Sequence, residues 1–105
     1  MDEKHFSQRL AMLRTAKNVS AREMSLALGQ NASYINRIEN GWALPSMQCF
    51  FYICDYLGVT PSEFFDEQNT DPYKQHRLSA TLRMLNAKQC ELILTLAEGL
   101  LDLQK

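Results

Sequence analysis

Residues 20–41 constrain the fold of this chain more than any other stretch, because they predict two short helices separated by a tight turn. The predicted helices span residues 21–28 and 32–40, and the turn lies between them. Apolar residues recur at helical spacing in both segments, which gives each helix one face to bury. Gly29, in the turn, can adopt the left-handed conformation that ends a helix. The segment therefore predicts a unit of two packed helices.

Polar residues suited to helix ends flank both predicted helices. Ser20 can accept a hydrogen bond from the first turn of the first helix, and Glu23, three residues later, completes a capping box. Asn31 is placed to cap the second helix, and Gly41 is placed to end it. Two helices joined in this way by a short turn with glycine form a helix-turn-helix arrangement.

A longer series of residues extends the pattern beyond the two helices. In order, its members are Gly29, Ser33-Tyr34-Ile35, Ile38-Glu39-Asn40-Gly41, Pro45-Ser46, Ile53, Leu57, Gly58-Val59 and Pro61. Over residues 6–66 this series resembles the Xre/Cro-like family of bacterial and phage repressors. The resemblance implies an all-α, five-helix, lambda-repressor-like helix-turn-helix domain over residues 1–66.

Three positions depart from the pattern of that family. Ala21 stands where the family has Gln, Ser25 where it has Ala, and Gln30 where it has a branched apolar residue. Ser25 is small enough to fit a close helix crossing. Ala21 lacks the side chain that supplies a usual DNA contact, which weakens the transfer of that contact to this chain.

The resemblance also implies which residues bind DNA, with the second helix as the recognition helix in the major groove. The implied set is Arg14, Lys17, Ala21, Arg22, Asn31, Ala32, Ser33, Tyr34, Asn36, Arg37 and Asn40. Arg37 could read guanine, Asn36 could pair with adenine, and Ala32 could contact a thymine methyl group. Asn31 and Ser33 are expected on the same exposed face of that helix. The residues expected at phosphates are Arg14, Lys17, Arg22, Tyr34 and Asn40. The alternative is that these residues are simply a solvated helix face.

Charge is the main argument against a nucleic-acid role. The chain has a formal net charge of −1, and residues 1–66 hold six basic against seven acidic residues. DNA-binding proteins commonly carry a basic patch, since neutralising phosphates supplies most sequence-independent affinity. Four basic residues nevertheless cluster around the two helices, namely Arg14, Lys17, Arg22 and Arg37. We therefore expect a local positive face, modest affinity and strong salt dependence.

The remaining segments predict further helices. Three of them complete the five-helix domain: residues 5–16, with Arg9 and Arg14 turned outward; residues 47–57, with Met47 turned inward; and a short helix that starts at Pro61. Trp42 follows Gly41, which ends the helix. Its side chain either covers the edge of the core or stacks on the sugar-phosphate backbone of DNA, and the first alternative is favoured.

The end of the chain predicts a separate helical extension. Residues 67–73 are predicted as a linker, and residues 74–105 as helices over 77–85 and from Ala87, the second capped by Asn86. The many apolar residues of this extension either fold back on the domain or form a homodimer. The homodimer is favoured because helix-turn-helix proteins commonly bind two half-sites.

Other chemistry finds little support in the sequence. Three cysteines lack metal-ligand spacing and predict reduced thiols in a cytoplasm, and neither histidine has a partner at ligand spacing. No apolar run approaches the ~20 residues that span a bilayer. There is no nucleophile elbow, phosphate loop or pair of catalytic carboxylates, so neither an enzyme nor a cofactor is expected.

The sequence thus predicts a DNA-binding transcriptional regulator, acting as a repressor and a homodimer on double-stranded DNA. The alternative keeps the scaffold but loses the DNA contacts, as in a protein-interaction adaptor, an antirepressor or an antitoxin. The net acidity, Ala21 and Ala32 favour the alternative, whereas Arg37 and the local basic cluster favour the regulator.

Overall fold

The computed structural model describes residues 1–104, and the regular elements within them are all α-helices. The helices of this part of the chain are α1 (Glu3–Ala16), α2 (Ala21–Ala27), α3 (Tyr34–Glu39), α4 (Met47–Leu57), α5 (Pro61–Phe65), α6 (Pro72–Arg83) and α7 (Ala87–Asp102). The predicted all-α fold is confirmed. The chain divides into two compact units, the first ending at Tyr73 and the second beginning at Lys74.

The first unit, formed by α1 to α5 and the start of α6, contains the hydrophobic core. Phe6, Phe50 and Phe64 meet at its centre, with ring centroids 4.9 Å apart for Phe6 and Phe64 and 5.1 Å for Phe50 and Phe64. The other buried apolar side chains are Leu10, Leu13, Met24, Ile35, Ile38, Ile53, Cys54, Leu57 and Val59. Every helix from α1 to α5 contributes to this core, which fixes the position of α2 and α3.

Local capping interactions place most helix ends where the sequence predicts them. Ser20 Oγ accepts the Glu23 N–H at 2.9 Å, although Glu23 makes no return bond to Ser20 within the described residues. Gly29 and Gly41 adopt left-handed φ values of 75° and 76°. The second helix of the predicted pair begins later than expected, at Tyr34, because residues 32 and 33 form a turn.

Two predictions about α1 and α4 are wrong. Arg9 was expected to face solvent but is only 5% exposed, and its guanidinium donates to the carbonyls of Glu63, Phe64 and Asn69 at 2.6–2.9 Å. These three hydrogen bonds to backbone carbonyls satisfy the buried cation. Met47 was expected to face the core but is 67% exposed.

The segment between the predicted domain and the extension is held to the first unit. The Asn69 carbonyl accepts from Arg9, and the Tyr73 hydroxyl donates to the Leu13 carbonyl at 3.2 Å. Helix α6 begins at Pro72, earlier than the predicted residue 77, since proline suits the first turn of a helix.

In the second unit, α7 begins with the predicted Asn86 cap and a complete capping box with Gln89. No side chain between residues 74 and 104 is buried. None of the described helices has the length and apolar character required to cross a membrane.

Candidate nucleic-acid interface

Helix α3 is tied to α2 by a buried serine. Ser25 is fully buried, and its hydroxyl donates to the Ala21 carbonyl at 2.7 Å and accepts the Ile35 N–H at 2.9 Å. The Ile35 N–H lies in the first turn of α3, where backbone N–H groups lack partners within the helix. Ser33, which precedes α3, makes no side-chain cap. Ser25 therefore supplies from α2 the hydrogen bond that a local cap would give.

Helix α3 is also tied to α1, at its other end. Arg14 and Glu39 form a bidentate ion pair, with N–O distances of 2.7 and 2.9 Å. Arg14 also donates to the Val19 carbonyl at 2.8 Å. Ser7 Oγ donates to the Ile38 carbonyl at 2.7 Å. Glu39, at the C-terminal end of α3, opposes the helix dipole and needs such a cation.

The ion pair corrects the expectation that Arg14 contacts a phosphate. The Arg14 side chain is only 19% exposed and that of Glu39 only 11%. Hydrogen bonding to Glu39 raises the pKa of Arg14. The Arg14 guanidinium donates its hydrogen bonds to a carboxylate and a carbonyl within the protein. Arg14 therefore positions α3 and is not a candidate DNA contact.

Four side chains form an exposed face on α3 and its ends, which we call the recognition face: Ser33, Asn36, Arg37 and Asn40. All four are exposed, and they fall at i, i+3, i+4 and i+7. The opposite side of the helix carries Ile35 and Ile38, which are fully buried. The polar face thus points outward because the core holds the apolar one.

Hydrogen bonds within this surface limit how its amides can turn. Asn40 Nδ2 donates to the Asn36 carbonyl at 2.7 Å and to Asn36 Oδ1 at 3.1 Å. The amide oxygen of Asn36 is thus engaged, while its side chain stays exposed. Asn31, also exposed, accepts from the Ser33 N–H at 3.1 Å and from its hydroxyl at 2.8 Å.

Two further expected phosphate contacts are turned toward α4 instead. Lys17 Nζ donates to the backbone carbonyl of Tyr56 and lies 5.0 Å from the centroid of the Tyr56 ring. Tyr34 is half-buried against the core, where burial and a hydrogen bond to Cys49 raise the pKa of its phenol to about 12. The partners of both side chains lie in α4, and the sequence pattern of α4 does not show that it packs beside Lys17 and Tyr34.

The remaining expected contacts differ in what they can offer. Ala21 packs against the core, and Ala32 is half-buried. Arg22 and Arg37 are exposed, and their side chains make no ion pair or hydrogen bond to other described residues. The predicted cluster of four basic residues therefore leaves two guanidinium groups available to an anionic ligand.

Trp42 lies on the surface, next to the C-terminal end of α3. It is 71% exposed, so the preferred prediction that it covers the core edge is wrong. Its backbone N–H donates to the Arg37 carbonyl at 2.9 Å, which holds the residue beside the end of α3. The left-handed Gly41 was the available signal, because such a residue turns the chain out of the helix before the next side chain.

A family model described as a helix-turn-helix domain matches residues 5–64, more than half of the chain. Neither a curated protein nor a solved structure matches the chain. Within the described residues, no group of three or more His, Cys, Asp or Glu side chains could hold a metal ion.

Proposed function

Because this chain belongs to the helix-turn-helix domain family, in the Xre/Cro-like class of regulators, we propose that it is a sequence-specific repressor of transcription. The observation that carries the proposal is the recognition face. Four polar side chains stand exposed on a helix that Ser25 and the Arg14–Glu39 pair hold in place, with Arg37 among them and no carboxylate.

We assign the recognition face to the major groove of double-stranded DNA. Arg37 can donate two parallel hydrogen bonds to guanine O6 and N7, and Asn36 can pair with adenine. Ser33 and Asn40 reach neighbouring base edges or phosphates. Arg22 binds a phosphate, and Trp42 lies against the sugar-phosphate backbone.

Two positions beside the face have smaller roles in this proposal. Asn31 contacts a phosphate or a base edge at the start of the recognition helix, and Ala32 touches a thymine methyl group. Ala21 makes no contact. Arg14, Lys17 and Tyr34 act on the fold, through Glu39, Tyr56 and Cys49.

Repression needs no chemistry, because a protein that occupies an operator blocks polymerase. We further propose that the chain acts in the cytoplasm as a homodimer. A single small module reads too few base pairs to be specific, and two copies can read half-sites about 34 Å apart.

Selection of bound duplexes from a random pool tests the proposal. We expect an enriched site with two related halves whose centres lie about one helical turn apart. An enriched site upstream of a reporter gene should lower its expression. A pool that shows no enrichment at low salt would contradict DNA recognition and support the adaptor.

Salt titration gives a second, quantitative test. With Arg22 as the group that neutralises a phosphate, the logarithm of the binding constant should fall against the logarithm of salt concentration with a slope of about −1 for each bound chain. Arg22→Ala should reduce the slope by about one without changing the preferred sequence. Binding that does not respond to salt would contradict the phosphate contacts.

A further inference from the structure

The two helices of the second unit expose apolar side chains that a stable isolated unit would bury. In α7, Leu92, Ile93, Leu96, Leu100 and Leu101 are between 43% and 64% exposed. Contiguous apolar surface of more than a few hundred Å2 is rare on a monomer and marks an interaction site. An interaction partner is therefore needed to explain this unit.

The contact between α6 and α7 of one chain does not cover these side chains. The half-buried residues of the unit, Leu82, Leu85 and Cys90, lie beside the turn that joins the helices. The Cys90 thiol donates to the Leu82 carbonyl at 3.5 Å. The apolar side chains farther along α7 remain exposed.

The charges of the two helices have opposite signs. Helix α6 carries three basic residues and no acidic one, whereas α7 carries three acidic residues and one basic residue. In α7, Glu91, Glu98 and Asp102 are spaced by seven and four residues, so they share one edge of the helix beside the apolar face. The surface is thus complementary to a second copy of itself.

We infer that this unit is the dimer interface, in which α6 of one chain packs against α7 of a second copy and the reverse. A two-fold interface uses the same patch on both chains, so the patch must complement itself in shape and charge. A basic α6 and an acidic α7 meet that condition twice in one dimer. The four helices enclose the leucine side chains as a bundle core.

The inference rests on the proposed function only for the need to present two recognition faces to one operator. Association of the protein in the absence of DNA tests it separately. The full chain should sediment as a dimer at tens of micromolar, and Leu96→Glu should shift it toward monomer by at least about tenfold in dissociation constant. Met84→Gln, in the turn between the helices and 87% exposed, is the matched control and should leave the dimer unchanged.

An exchange of charges tests which helices face each other. One variant carries Arg77→Glu and Arg83→Glu, which makes α6 acidic; the other carries Glu91→Lys and Glu98→Lys, which makes α7 basic. Each variant alone brings like charges together in both halves of the dimer. A mixture of the two brings opposite charges together in both halves, so the mixed dimer should form at least about tenfold more tightly than either homodimer.

The outcomes separate the alternatives. A wild-type chain that is monomeric at tens of micromolar overturns the inference. So does a mixture of the charge variants that associates no better than its components, since α6 would then pair with α7 inside each chain. If either variant loses helix content alone, recovery on mixing supports the inference and no recovery overturns it. Failure to bind DNA by a dimeric wild type would instead contradict the proposed function.

Discussion

Replacement of Ser25 by alanine tests how helix α3 is held. Ser25 is fully buried, and its hydroxyl is the hydrogen-bond partner of the Ile35 N–H in the first turn of α3. Ser25→Ala removes this acceptor without adding volume that could clash.

The expected loss can be worked out from these contacts. A buried N–H without an acceptor costs about 1–3 kcal/mol, whereas alanine is favoured over serine in a helix by at most about 0.7 kcal/mol. The other bond of Ser25, to the Ala21 carbonyl, adds little because that carbonyl belongs to the α2 helix. We expect a net loss of about 1–2 kcal/mol in the free energy of unfolding.

Urea unfolding of the full chain, followed by circular dichroism, measures this loss. A loss of 1 kcal/mol corresponds to roughly 4–8 °C in melting temperature for a unit of this size. Ser62→Ala, at an exposed position in α5, is the control and should stay within about 0.5 kcal/mol of the wild type. If Ser25→Ala is as stable as the wild type, the bond to Ile35 does not hold α3, and the reasoning is refuted.

Three further predictions concern α3 and the residues that hold it in place. Arg14→Ala should destabilise the first unit by about 2 kcal/mol in urea, because it leaves the mostly buried Glu39 carboxylate unpaired, while Arg22→Ala should change stability by less than about 0.5 kcal/mol. The Tyr34 pKa, raised from 10.0 to about 12, contributes stability that is complete below pH 10 and lost as the pH rises to 12. Unfolding measured over that range should show a smaller fall in stability for Tyr34→Phe than for the wild type; equal slopes would be inconsistent with the burial of the phenol. Arg37→Ala should weaken binding to the selected site by about 1–3 kcal/mol and relax preference at one base pair, as measured by competition between duplexes. An equal loss of affinity for all duplexes would show that Arg37 contacts the DNA backbone and not a base.

The elements that the sequence predicts well depend on residues close together in the chain. Ser46 caps α4, Thr60 caps α5 and Asn86 caps α7, each by accepting an N–H three residues later. Helix α4 begins and ends where its periodicity predicts. The recognition face is a local feature too, since helical spacing alone places Ser33 and Arg37 on one side.

The features that sequence reasoning missed depend on partners far along the chain. Glu39 needed a cation, but its spacing did not identify Arg14, which lies 25 residues earlier. Arg9 is buried because carbonyls 54–60 residues away accept its hydrogen bonds. A buried basic residue whose partners are backbone carbonyls has the same helical spacing as an exposed one. The pattern of side chains along the sequence does not reveal those carbonyls.

The separation of the two sides of α3 has a consequence for how this protein could change during evolution. Ile35, Ile38 and Glu39 attach the helix to its scaffold, and none of them belongs to the outward row. Substitutions in that row can therefore alter the surface that the helix offers to DNA while the folding equilibrium stays nearly constant. A lineage could change that surface through a few exposed positions, without passing through an unstable ancestor.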